Sequence, residues 1–256
     1  MTLPSDIKIR LLSSLILISV LIFSLIKGET YLKVFLIIVS LFMFFEWMRL
    51  ISKNYWIIRG FIASTGLAII LMIGSINSLS IITFFLSFLF LTIFSKLTIE
   101  NYKMSSFGFI YISLSILTIN WIRESDQGLL LLIIILSTIF VSDIAAYIFG
   151  SLFGGPKLFK VISPNKTLSG FIAAFIIGTF WFIFLTLNYS NSYNFYNIYV
   201  GFGIVFLSII GDLLISSLKR KANIKDSGIF IPGHGGFLDR ADSILPIFFL
   251  MPLYTV

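Results

Sequence analysis

The sequence predicts an all-α polytopic integral membrane protein with about nine transmembrane helices and a cytoplasmic N-terminus. Three observations predict it. Hydrophobic residues fill 58% of the 256 positions and charged residues only 11%, where a soluble domain carries about 25% charged. Mean hydropathy is +1.06, and the apolar residues gather into runs near the roughly 20-residue length that crosses a bilayer. Threading those runs through a membrane puts nearly all Lys and Arg on one side.

The runs fall at about 10–26, 31–50, 57–76, 79–95, 106–122, 128–149, 168–188, 196–218 and 242–255. The first follows Lys8 and Arg10 and lacks a small-residue cleavage site, so it reads as a retained span and not a signal peptide. The second holds Glu46 three residues before Arg49, a spacing that suits a local i,i+3 ion pair. The third, fourth and fifth carry no acid. The sixth and eighth enclose Asp143 and Asp212. Between the seventh and eighth, the uncharged NYSNSYNFYN reads as a short loop. The ninth begins just after Asp239. Residues 1–127 form a scaffold or lipid-facing set of helices, and 128–256 the set that carries the polar, site-like segments.

With the N-terminus in the cytoplasm, fifteen of the eighteen basic residues face that side and only Lys27, Lys33 and Arg123 face the other. Most of the +7 net charge is therefore topological. A nucleic-acid partner is not needed, because the bases are spread over separate segments and have no stacking platform. The absence of cysteine excludes disulfides, thiolate chemistry and iron–sulfur clusters.

A carboxylate inside hydrocarbon costs about 3 kcal/mol or more, so Asp143 and Asp212 must meet a polar cavity, a partner or a metal. A buried hydrogen-bonded acid or an ion pair would also satisfy each. Asp212 lies roughly 10 Å below Lys219 along its helix. Asp143 sits at a similar depth, so the pair favours one cavity open to the cytoplasm. Asp239 and Asp242 are spaced i,i+3, which on a helix puts them on one side, with an N-cap as the alternative role for one of them.

PGHGG (232–236) permits unusual backbone angles and a close main-chain approach. Such turns make anion-binding nests, or simply tight turns. His234, the only histidine, lacks the partners of a zinc site, which favours phosphate contact or loop ordering. In GGPKLFKVISPNKTLSG (154–170) the spacing of a P-loop is absent. Ser163-Pro164 there looks like a helix start, with serine as N-cap and proline at N1. Carboxylates without cysteine or further histidine suit Mg²⁺, and lysines and arginines suit phosphates.

The run SSLKRKANIKDSGIFIPGHGGFLDRADS (216–243) closely resembles the signature of the phosphatidate cytidylyltransferase family: a serine two residues before Lys-Arg, then Lys-Asp, Pro-x-His-Gly-Gly and Asp-Arg-x-Asp. Gly211-Asp212-Leu213 matches the family's Gly-Asp-Leu. The segment from Asp143 through Ala146-Tyr147 to Gly150, and that from Ser163-Pro164 through Lys166-Thr167 to Gly170, resemble two further family segments. The resemblance covers residues 143–243 by motif, and the earlier chain only as a string of spans.

The resemblance implies synthesis of CDP-diacylglycerol and pyrophosphate from CTP and phosphatidic acid, at the cytoplasmic face of the cell's inner membrane. It implies Mg²⁺, with room for a second cation, held by Asp212 and Asp239. It makes Lys219, Arg220, Lys225 and Arg240 catalytic candidates for the phosphates. Lys166, Ser216, Asp226, Gly233, His234, Gly235, Gly236, Asp242 and Asp143 are candidates for substrate contact or loop order. A homodimer is allowed for. The chain departs from the family pattern at Ser169 and Ile215, where glutamates are usual, and at Leu168, where tryptophan is usual. The two glutamates are absent together, which suggests that they serve each other. Rival readings are a CTP-dependent polyprenol kinase-like enzyme, an inactive relative, and an ion-coupled transporter. The complete signature argues against the first, and the clustering of acids in the C-terminal half against the last.

Overall fold

The computed structural model describes residues 5–74, 77–159, 162–190, 196–228, 230–231 and 235–253. The elements are α1 (Ser5–Lys27), α2 (Glu29–Ile51), α3 (Trp56–Ile73), α4 (Ser78–Thr98), α5 (Tyr102–Glu124), α6 (Gly128–Phe153), β1 (Lys157–Phe159), β2 (Ser163–Thr167), α7 (Leu168–Ser190), α8 (Tyr196–Lys221), α9 (Leu238–Ala241), α10 (Leu245–Leu250) and a 3₁₀ turn, Met251–Leu253. Among the described residues, seven helices, α2 to α8, are long and apolar enough to cross a membrane, and α1 carries a shorter apolar stretch, Leu12–Lys27. The chain is an all-α polytopic membrane protein.

The ninth expected span, 242–255, is not a membrane-length helix within the described residues. Helix α10 has six residues and the 3₁₀ turn three, so the α-helical part rises roughly 9 Å against a hydrocarbon core of about 30 Å. Pro252 lies in that turn; lacking an N–H, and with a ring that crowds the carbonyl four residues back, it cannot prolong α10. The charge asymmetry survives this correction, because no Lys or Arg follows Arg240.

The chain divides into two compact units, one of Met1–Glu124, Leu218–Ala241 and Phe248–Val256, the other of Ser125–Ser217 and Asp242–Ile247. In the first, α5 packs through small residues, Ser105, Ser106, Gly108, Ser113 and Ser115, which let helices approach closely. A Cβ on Gly108 would overlap the Trp47 ring, whose Nε1–H donates to Met104 O at 2.9 Å. Phe44, Trp47, Met48, Phe109 and Ile112 are fully buried around this contact.

Two arginines fasten helix ends in this unit. Gly28 separates α1 from α2 at φ 65°, ψ −153°, a conformation that only glycine adopts readily. Arg123 Nε–H reaches Leu25 O there at 2.7 Å. Arg59, which the sequence places with the loop cations, is instead fully buried in α3. Its guanidinium donates to Ser52 O at 2.6 Å, Asn54 O at 2.8 Å, Met48 O at 3.2 Å and Ser105 Oγ at 2.8 Å. Carbonyls left over at the end of α2 supply the negative charge density that makes this burial tolerable.

In the second unit α6 and α7 pack against each other, with Gly150 and Gly170 at the crossing. A Cβ on Gly170 would lie 2.5 Å from the backbone carbonyl oxygen of Ala146. Leu132, Ile135, Ile139, Ala174, Phe182 and Val205 are buried in this unit.

Candidate active site

In the second unit, α6 ends at Gly154 and the chain turns into the antiparallel pair β1–β2, with Lys157 opposite Thr167 and Phe159 opposite Ser163. Ser163-Pro164 is therefore the start of a strand and not of a helix; α7 begins at Leu168. Two facts explain this. A residue before proline is pushed toward extended angles, and each strand of a two-stranded pair is an edge, where proline is tolerated.

The strand carries Lys166 to Asp212 of α8, Nζ to Oδ2 at 2.5 Å. One turn further along α8, Ser216 Oγ–H donates to Asp212 Oδ1 at 3.1 Å. Asp143, Asp212, Asp242, Lys166 and Thr167 line one cavity of about 370 Å³, with Tyr147, Phe159 and Phe171 on its apolar wall. The structure thus brings Asp143, Lys166, Asp212, Ser216 and Asp242 together. Gly211 lets α8 lie against the backbone of Asp242, since a Cβ there would overlap the Asp242 carbonyl. Asp242 Oδ1 accepts from the N–H of Ser243 at 2.8 Å.

The first unit holds the other polar cluster. Lys219, in the last turns of α8, places Nζ 2.7 Å from Asp239 Oδ1. Asp239 Oδ2 accepts from Ser227 N–H at 2.8 Å, Ser227 Oγ–H at 2.9 Å and Gly236 N–H at 3.1 Å. The single Ser227 hydroxyl proton is shared with Glu46, whose Oε2 lies 2.8 Å from the same hydroxyl oxygen, so three donors belong to Asp239 alone. Burial alone would raise its pKa, but the Lys219 hydrogen bond and charge and the Ser227 and Gly236 amides outweigh it and hold the carboxyl below its ordinary range. Gly235 turns at φ 87° and lies close beside Asp226 and Asp239, a turn that favours glycine.

Arg220, Lys225, Asp226 and Arg240 are exposed. Gly233 and His234 lie outside the described residues. Asp239 and Asp242 do not share a helix, because α9 ends at Ala241.

Glu46 was not legible as part of this cluster. It is 1% exposed, whereas Arg49, its expected partner, is exposed. Its oxygens accept instead from Ser227 Oγ–H at 2.8 Å, Leu238 N–H at 2.8 Å and Phe237 N–H at 3.0 Å. The signal available in the sequence was an acid inside the apolar run FMFFEWM, the same signal that marks Asp143 and Asp212.

The donor chemistry fits a hard cation. Asp143, Asp212 and Asp242 offer carboxylate oxygens to one cavity, and no thiolate exists in the chain. Among the described residues no group of three or more acids or histidines forms a metal cage. Magnesium does not require one: it is commonly held by one or two carboxylates, with substrate phosphates and water completing the shell.

Comparison with known proteins agrees with the resemblance seen in the motifs. The model of the cytidylyltransferase family matches residues 8–256. A phosphatidate cytidylyltransferase of Staphylococcus aureus is 30% identical over 263 residues, covering 97% of this chain and 98% of that protein. Those of Staphylococcus saprophyticus and Staphylococcus epidermidis are 29% and 28% identical over 260 residues, with the same coverage. On a match of this extent, the chain belongs to the cytidylyltransferase family.

Proposed function

We propose that the protein transfers CMP from CTP to phosphatidic acid, giving CDP-diacylglycerol and pyrophosphate. The family match over residues 8–256 carries this reading. In the reaction a phosphate oxygen of phosphatidic acid attacks the α-phosphorus of CTP. A P–O bond forms there, the bond to the β-phosphate bridging oxygen breaks, and pyrophosphate leaves with that electron pair. The nucleophile is already anionic, so no strong general base is needed, and catalysis rests on positioning and charge neutralisation.

Asp212 and Asp239 are each proposed as magnesium ligands. Bound magnesium would neutralise phosphate charge and polarise the P–O bonds. Each carboxylate is paired with a lysine ammonium, Lys166 on Asp212 and Lys219 on Asp239, so a magnesium ion would take the place of each ammonium, leaving the lysines for phosphates. Lys166, Lys219, Arg220, Lys225 and Arg240 neutralise phosphates. Ser216 orients Asp212, and Asp143 and Asp242 shape the cavity that receives substrate. Asp226, Gly233, His234, Gly235 and Gly236 order the loop before α9. The side bearing fifteen of the eighteen basic residues is the cytoplasmic face of the inner membrane.

The test uses purified protein, phosphatidic acid and Mg²⁺ with CTP labelled at the α- or at the γ-phosphate. The reading expects α-label in the lipid phase and γ-label in released pyrophosphate. Transfer of γ-label to polyprenol would replace it with the kinase reading. Silence with both labels, from folded protein, would mark an inactive relative.

A further inference from the structure

We infer that Glu46 is a positioning residue for this reaction, fixing from helix α2 the loop that presents Asp239. The inference rests on the transferase reading for its kinetic consequence; its structural basis is independent. A carboxylate buried in a membrane helix is expensive and marks a functional site by default. All three donors that satisfy Glu46 come from one distant segment: Ser227, Phe237 and Leu238. None comes from its own helix neighbour Arg49, which is exposed.

The fit is specific to this segment. A Cβ at Gly228 or at Gly236 would overlap the Glu46 carboxylate, so the loop can close over it from two directions only because both positions are glycine. One helical turn earlier on the same face, the Phe42 ring stacks on Phe237 with centroids 5.0 Å apart and planes 8° apart, and meets Phe230 at 4.7 Å. Helix α2 thus grips the segment at two points, one aromatic and one carboxylate.

The grip is coupled to Asp239 directly. The Ser227 hydroxyl carries one proton and lies 2.8 Å from Glu46 Oε2 and 2.9 Å from Asp239 Oδ2, so it joins the two carboxylates. The Leu238 amide held by Glu46 adjoins Asp239 in the chain. Removing Glu46 frees two backbone amides and leaves the Ser227 proton to Asp239 alone. The reacting phosphates are not touched by Glu46; its effect reaches them through the placement of Asp239, Gly235 and Gly236.

The test compares full-length wild type, Glu46→Gln, Glu46→Ala and Met43→Ala in lipid. Met43 is a buried control on the same helix whose side chain takes no part in the polar contacts. Amide hydrogen exchange of Phe237 and Leu238 is measured, together with kcat, KM for CTP and the Mg²⁺ concentration giving half-maximal rate, all per folded molecule. Exchange should accelerate in both Glu46 variants and not in Met43→Ala. Glu46→Gln should lower kcat by about 10- to 100-fold, the usual loss when an outer-shell partner is removed, raise the Mg²⁺ midpoint and change KM for CTP far less. Unchanged exchange, or a kcat per folded molecule equal to wild type, would overturn the inference. An inactive wild type would instead sink the transferase reading, and the exchange arm would still decide whether Glu46 holds the loop.

Discussion

Lys219 Nζ lies 2.7 Å from Asp239 Oδ1, and the same carboxylate takes three further donors from Ser227 and Gly236 through its other oxygen. The pair is mostly sheltered, with side-chain exposures of 15% and 8%. Both residues fall inside the family signature, so a stabilising contact and a proposed catalytic role share the same atoms.

The Asp239 carboxyl sits below its ordinary range, so the stability it contributes is fully present above the unfolded pKa, about 3.9. That contribution is lost as pH falls through the lowered folded value. Wild type should therefore lose stability on acidification below about pH 4, and Asp239→Asn should lose less over that window while starting lower at neutral pH. Unfolding midpoints in detergent across the acid range check this. Parallel curves for the two proteins would remove Asp239 as a contributor.

Lys219→Met leaves Asp239 with backbone and hydroxyl donors but no cation. Loss of a charged hydrogen bond in this partly sheltered setting should cost about 1–3 kcal/mol. Lys219→Arg should recover much of that stability but, on the phosphate role proposed for Lys219, not full activity, because a planar fork does not replace a point charge. Thermal unfolding and turnover measured on the same preparations separate the two effects.

Arg59 supports the end of the helix that carries Glu46. Arg59→Leu would remove the side-chain donor from the carbonyls of Ser52 and Asn54, while Met48 O keeps the Ser52 N–H, and should lower stability by about 2–4 kcal/mol. KM for CTP in the surviving folded fraction should stay unchanged. A shift in KM without loss of stability would give Arg59 a substrate role that its contacts do not suggest.

The two positions where family glutamates are absent, Ser169 and Ile215, lie in the second unit and differ in surroundings. Ser169 Oγ–H donates to Gly154 O at 2.5 Å, whereas Ile215 is fully buried. Glutamate at 169 would face that carbonyl acceptor with a carboxylate, and glutamate at 215 would bury a charge at a cost of about 3 kcal/mol. Each single change should harm expression and activity. If the family glutamates serve each other, Ser169→Glu with Ile215→Glu together should do better than either alone. Equal losses in single and double variants would count against that idea.

The membrane helices were legible because a 20-residue apolar run has few alternatives in lipid, and α2 to α8 follow the runs closely. The run at 242–255 is apolar over a spanning length, but it contains Pro246 and Pro252, which limit helix there. Ser163-Pro164 misled because one dipeptide suits both a helix start and an edge strand, and only the pairing of Phe159 with Ser163 decides between them. Within the site, Asp143 and Asp212 were legible from their apolar surroundings, whereas Ser216 came only from the family signature and its bond to Asp212 from the structure. Lys219 and Asp239 both belong to the signature, but their contact is not readable from it, since they lie twenty positions apart on different elements. Glu46 was misassigned for a similar reason: local spacing offered Arg49, while its partners lie 181 or more positions away. N-terminal helices read as scaffold therefore hold part of the signature loop.

The decisive experiment is transfer of α-labelled CMP to phosphatidic acid by purified wild type and Asp239→Asn, with helix content checked by circular dichroism. Wild type should place Mg²⁺-dependent label in the lipid phase, and the folded variant none above background. Full Mg²⁺-dependent transfer by Asp239→Asn would contradict the proposal, because the signature carboxylate would then be dispensable to the chemistry proposed for it.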